Sequence, residues 1–208
     1  MTNIIMLINM IVLAIMLLFS SFLLKKKLNP KISYLLLGSS FIAGITHILS
    51  YAFYLLQKDT EAIEISLLNS GFSALFILLT ICIGLAVKKQ TEFHFCLVFN
   101  DLPMKQANSE SLYMSGSITE EENRRQKKAY NEEVSFYGNL EGSASIIFKI
   151  FTIVLCITPV ALIIGFILGK NICENITIFF NLLNFLCLQF SCIFIIVFLL
   201  CKRFSKNN

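Results

Sequence analysis

Charge is what this sequence has least of. Only 14% of its 208 residues are Asp, Glu, Lys or Arg, against about 25% in soluble domains, while 56% are hydrophobic against the usual ~45–50%. That shortage excludes an ordinary soluble protein. The 17 basic and 13 acidic side chains leave a net charge of +4, mild and scattered, which excludes a nucleic-acid binder with a clustered basic face. There is no Cys-x-x-Cys pair, and the seven cysteines are an odd number. Cys82, Cys156, Cys187, Cys192 and Cys201 lie inside apolar runs and read as small buried hydrophobes, neither a disulfide framework nor a zinc site. Catalytic signatures are missing too: no Gly-rich phosphate loop, no Gly-x-Ser-x-Gly turn, no His-Glu-x-x-His, and His47 and His94 stand at no motif spacing from a nucleophile. The chain reads as no enzyme, with no catalytic residue, cofactor or metal.

Long apolar runs are what is present. A bilayer core about 30 Å thick needs about 20 apolar residues in helix, and five runs qualify: Ile4 to Leu24, Ile32 to Leu56, Ser66 to Val87, Ile146 to Gly169 and Ile176 to Cys201. Nothing suggests barrel-type alternation, so the expected fold is an all-α integral membrane protein of about five transmembrane helices. The first run has no basic residue before it and no small-residue cleavage site, so it reads as a retained anchor rather than a signal peptide.

Basic residues set the expected orientation. Lys25, Lys26, Lys27 and Lys31 follow the first run, seven more lie between Lys88 and Lys128, and Lys202, Arg203 and Lys206 close the chain. The connectors 57–65 and 170–175 carry one Lys each, with Asp59, Glu61, Glu64 and Glu174. The positive-inside rule then places the amino terminus outside and the carboxyl terminus in the cytosol. The expected organisation is 1–87 as transmembrane helices one to three, 88–145 as a cytosolic loop, 146–201 as helices four and five, and 202–208 as a basic cytosolic tail.

Within the loop, Ser117 and Glu120 have capping-box spacing, which predicts a helix start there. Glu120 with Arg124, Glu121 with Arg125, and Lys128 with Glu132 are i, i+4 pairs worth ~0.2–0.5 kcal/mol each on an exposed helix. Gly138 and Gly142 mark its expected end. Composition alone is equally consistent with a merely solvated charged helix between spans.

The residues around that helix carry a resemblance. From Asn100 the chain reads Asp101, Leu102, Pro103, Met104, Lys105, Gln106, then Glu110, Gly116, Ile118, three Glu, Arg124 and Arg125, and finally Phe136, Tyr137, Gly138, Asn139, Leu140, Glu141, Gly142, Ser143, Ala144, Ser145. This resembles the FHIPEP family, the large export-gate subunit of flagellar and type III secretion systems. That family's cytosolic loop reads in outline Asp-Ala-x-Pro-Gly-Lys-Gln, an Asp-rich stretch, a Gly, a charged helix with paired arginines, and Asp-Phe-Tyr-Gly-Ala-Met-Asp-Gly-Ala-Ser. Order and position both match over about fifty residues, a combination hard to reach by chance. More weakly, Leu35, Leu36, Leu37, Ser39 and Ser40 resemble a Leu-Leu-Leu-x-Thr-Thr family span. On that register the chain corresponds to the second through sixth family spans and lacks counterparts of the first span, the last two and the large carboxyl-terminal cytosolic domain.

The resemblance implies a functional loop of Pro103, Lys105, Gln106, Glu110, Phe136, Tyr137, Gly138, Glu141 and Gly142, with Lys105 and Glu110 coupled as a base and an acid. Without the resemblance those two are exposed charges worth under about 1 kcal/mol. Met104 replaces the family Gly, Lys149 and Ile150 stand where the family has Gly-Asp, and the region around Asn181 and Asn184 replaces a Gly-Asp-Gly, so two membrane acids are missing. Family arginines fall on Ala43 and Ala52, and a family Asn falls on His47.

Three further features stand in the apolar runs. His47 is the ionisable residue at membrane depth; a neutral imidazole hydrogen-bonded to a neighbouring helix is the simpler reading, since a proton relay needs a chain of partners. Asn181, Asn184 and Ser191 share a helical face expected to be buried against another helix, which makes His47, Asn181 and Asn184 a candidate membrane polar site. Gly165 and Gly169 form a Gly-x-x-x-Gly for close helix packing, within the monomer or between copies, six residues after a Pro159 expected to kink the span.

The resemblance therefore implies a membrane subunit of a flagellar or type III protein export gate in the bacterial inner membrane. Its expected partners are membrane lipid, further copies of itself, other gate subunits and exported proteins, with no nucleic acid. The alternatives are a reduced relic of that family without export activity, or a small membrane protein or transporter of unrelated role.

Overall fold

A computed structural model describes residues 31–56 and 67–205. The described residues are helical apart from short turns and contain no strand: α1 (Lys31–Leu56), α2 (Leu67–Met114), α3 (Glu120–Ile167) and α4 (Ile172–Ser205). Helix is the form that satisfies every backbone donor and acceptor within one segment, as lipid demands. Hydroxyl side chains inside these apolar helices are accommodated the same way. Thr46, Thr80, Thr152 and Thr158 each donate to the carbonyl four residues back, at 2.8, 2.8, 2.9 and 2.8 Å.

Three of these helices are long and apolar enough to cross a membrane: Ser73–Met114, Glu120–Ile167 and Glu174–Lys202. The expected count of five is not reached among the described residues. The first run, Ile4 to Leu24, lies outside them, and the second forms the 26-residue helix α1.

The larger departure concerns the segment 88–145. It is not a loop containing one charged helix between Ser117 and Gly142: α2 and α3 are each 48 residues, about 72 Å at 1.5 Å per residue, and run unbroken past Val87 and back through Ser145. A bilayer core of about 30 Å covers less than half of that length. The remainder forms an antiparallel helical hairpin. Pro103 and Pro159 both lie inside helices rather than ending them.

The bundle core lies where α2, α3 and α4 meet. Phe151, Phe190, Phe194, Leu186, Val197 and Leu200 are fully buried, with Phe151 and Phe190 ring centroids 5.1 Å apart. Lipid is as apolar as Leu, so close van der Waals packing rather than escape from solvent holds such helices together. Gly84 permits that packing: a Cβ there would lie 2.7 Å from Phe148 and 3.0 Å from Phe194. On the outer faces Leu75, Leu78, Ile153 and Ile163 remain exposed, as lipid-facing side chains are.

Cysteine placement differs in part from expectation. Cys187 and Cys201 are buried, whereas Cys82 and Cys156 are exposed on the apolar outer faces, where a thiol is as acceptable to lipid as an alanine.

Candidate functional site at the helical hairpin

The hairpin turn is built by Gly116, whose φ of 75° is the left-handed conformation that favours glycine. Ser117 N–H donates to Leu112 O at 3.0 Å and Gly116 N–H to Tyr113 O at 2.9 Å, the paired bonds of a Schellman stop. The helix start expected at Ser117 falls at Glu120 instead. Thr119 is the N-cap, accepting from Glu122 N–H at 3.2 Å, while the Ser117 hydroxyl is 2.9 Å from that of Ser115 within the turn. Glu120, Glu121 and Glu122 then occupy the first turn, where carboxylates oppose the helix dipole.

Polar contacts between the arms run down from this turn. Ser109 Oγ donates to Asn123 Oδ1, and the two stand seven residues either side of Gly116. Lys127 Nζ donates to Glu110, Gln106 Nε2 to Asn131 Oδ1 at 3.2 Å, and Lys105 Nζ to Glu133 Oε2 at 3.2 Å. Lys105 Nζ also lies 5.6 Å from the Tyr130 ring centroid. Ser109 and Asn123 are buried, and so is Glu133, at 7% exposure. The pairing of Lys105 with Glu110 does not form. Five residues apart on one continuous helix they point about 140° from each other, and each meets a partner on the opposite arm.

At the hairpin base the motif aromatics close the structure. Phe136 and Tyr137 are buried with ring centroids 5.4 Å apart, and His94 stacks on Tyr137 at 6.2 Å. Burial pushes the Tyr137 phenol above its ordinary pKa, with neighbouring Cys201 and Glu133 acting in the same direction. Gly138 and Gly142 do not end the helix, which continues to Ile167. Helix interiors tolerate glycine at a cost of roughly 1 kcal/mol against alanine. At Gly138 the Phe95 ring fills the space a side chain would occupy, 3.2 Å from the Cβ position, whereas Gly142 opens onto nothing within 4 Å. Glu141 is half-buried, and Pro103 is exposed on α2.

Among the membrane candidates, His47 is buried in α1 and Asn184 is half-buried, but Asn181 is exposed. On α4 Ser191 lies 2.9 Å from Thr80 Oγ1 of α2, and Thr80 Oγ1 also donates to Cys187 O at 3.4 Å. Sequence reasoning missed Thr80, and also Glu174, placed in an outward connector but buried in the first turn of α4. Gly165 and Gly169 do not form one helix face. Gly169, at φ 69°, is the stop after α3, with Gly169 N–H and Lys170 N–H bonded back to Phe166 O and Gly165 O. Gly165 makes room for Asn175, whose amide oxygen would lie 2.5 Å from a Cβ and whose Nδ2 donates to Leu162 O at 3.1 Å.

Among the described residues no group of three or more His, Cys, Asp or Glu converges to hold a metal ion. The arrangement can present a braced, charged hairpin beyond the apolar bundle, with Arg124, Arg125 and Lys128 on its surface.

Comparison with curated proteins shows that the chain is similar to the flagellar biosynthesis protein FlhA of Borreliella burgdorferi (strain B31), 37% identical over 68 residues. The match covers 33% of this chain, and it spans 10% of that curated relative's length. No protein-family model matches the chain, and no solved structure does.

Proposed function

We propose that this chain is a membrane subunit of a flagellar or type III protein export gate, acting as an oligomeric channel scaffold rather than an enzyme. One observation carries the reading: the run from Pro103 to Ser145 resembles the FHIPEP cytosolic loop motif by motif, and an independent comparison finds similarity to a flagellar biosynthesis protein. The structure supplies a physical role for that run. Its motif residues brace the two arms at Lys105, Gln106 and Glu110 and close the base at Phe136 and Tyr137. A rigid projection of that kind suits contact with further copies, other gate subunits and exported proteins.

In this reading the chain lies in the bacterial inner membrane, with the hairpin and carboxyl terminus in the cytosol and the amino terminus outside. The test is deletion of the gene and assay of flagellar or type III proteins in the culture medium. Export lost on deletion and restored by the intact chain, but not by one lacking 100–140, supports the gate. Undiminished export in the deletion strain makes the chain a relic of the family or a membrane protein of separate role.

A further inference from the structure

Lysines gather within about 14 Å along the bundle axis at its hairpin end. The close approach at Gly84 puts residues 84, 148 and 194 side by side on α2, α3 and α4. The contact of Gly138 with Phe95 shows that α2 and α3 keep the same register toward the hairpin. At 1.5 Å per residue, Lys88 and Lys89 stand about 6–8 Å above that level, Lys202 about 12 Å above and Lys149 about 2 Å below. Lys89, Lys149 and Lys202 are exposed and Lys88 is half-buried. Glu92, exposed, and Glu141, half-buried, are the acids at the same height, so cations outnumber them. Exposed Leu85 and Ile195 lie about 2 Å above residue 84 and exposed Ile153 about 8 Å below it. At the other end of the bundle, Lys170 is accompanied by the acid Glu174.

The geometry points to a belt for anionic phospholipid headgroups at the hairpin end of the bundle. Headgroup phosphates accept hydrogen bonds from the ammoniums of Lys88, Lys89, Lys149 and Lys202, while acyl chains lie along Leu85, Ile195 and Ile153. Long lysine stems reach from the apolar surface to the phosphate plane. A zwitterionic headgroup brings its own cation and gains less. This inference rests on the membrane reading of the bundle and is independent of the export role.

The full chain is reconstituted in phosphatidylcholine vesicles with trace spin-labelled phosphatidylglycerol or spin-labelled phosphatidylcholine, and electron paramagnetic resonance reads the motionally restricted fraction of each. Phosphatidylglycerol should be preferred roughly threefold or more at low salt. The preference should fall toward parity at high salt and in the Lys88→Gln, Lys89→Gln, Lys149→Gln, Lys202→Gln variant. It should persist when the same four become Arg, and in Lys170→Gln. Equal association at low salt, or a preference unchanged in the four-Gln variant, overturns the belt. If that variant does not fold, salt decides: a salt-sensitive preference kept by the Arg variant supports the belt, and a salt-insensitive one overturns it. A restricted component without headgroup preference defeats the belt alone; no restricted component defeats the membrane reading as well.

Discussion

Lys105 on one arm of the hairpin and Glu133 on the other meet at 3.2 Å, the glutamate side chain 10% exposed and the lysine 31%. A carboxylate so little exposed depends on its partner, because an unpaired charge left there is costly. Reversing either charge alone should destabilise the chain by about 1–3 kcal/mol, and Lys105→Glu with Glu133→Lys should recover part of the loss. Thermal unfolding followed by circular dichroism measures the cycle. Lys105 and Glu110, by contrast, should combine additively within about 0.5 kcal/mol, since each is paired across the hairpin and not with the other. Coupling between 105 and 110 with none between 105 and 133 would contradict the observed pairing.

Two glycines should respond in opposite directions to the same substitution. Gly84→Ala sets a Cβ 2.7 Å from Phe148 in the α2–α3–α4 contact and should cost about 1–3 kcal/mol. Gly142→Ala meets nothing within 4 Å and should stabilise α3 by about 0.5–1 kcal/mol. Unfolding temperatures of the two variants, compared with the parent, decide both signs.

Tyr137 should make the fold sensitive to alkali. Its folded-state pKa is raised, so the stability it contributes is fully present below the unfolded value of about 10 and is lost as pH rises through the folded value. Tyr137→Phe should therefore lose less stability than the parent between neutral pH and strong alkali. Identical pH profiles for the two would show that the phenol is not held neutral by the fold.

Three of the five expected spans were legible because lipid imposes a composition on any helix that crosses it. The hairpin was not. Helical hydrogen bonding runs without interruption past Lys88 and Ile146, so the change of composition there marks no end of structure. The motif residues were singled out through the resemblance, yet their partners stayed hidden. The resemblance couples Lys105 with Glu110, and only a continuous helix makes clear that they face apart. Ser109 and Asn123, spaced evenly about Gly116, carried a signal that a hairpin reading would have caught. Glycine itself was ambiguous: Gly116 and Gly169 stop helices through positive φ, while Gly138 and Gly142 lie within one.

The orientation proposed from the distribution of lysines is open to direct labelling. In a variant with its native cysteines removed, a membrane-impermeant thiol reagent applied from outside should modify a cysteine at position 60 and spare one at 117. The reverse pattern would place the hairpin outside and remove it from the cytosolic role proposed for it.

The most direct measurement is the size and composition of the assembly extracted from native membranes in mild detergent. Tagged chain should elute as a complex of several copies, with other flagellar or type III export proteins identified by mass spectrometry, and the charge-reversed Lys105→Glu hairpin should shrink it. A monomer free of export proteins, unchanged by that substitution, would contradict the gate.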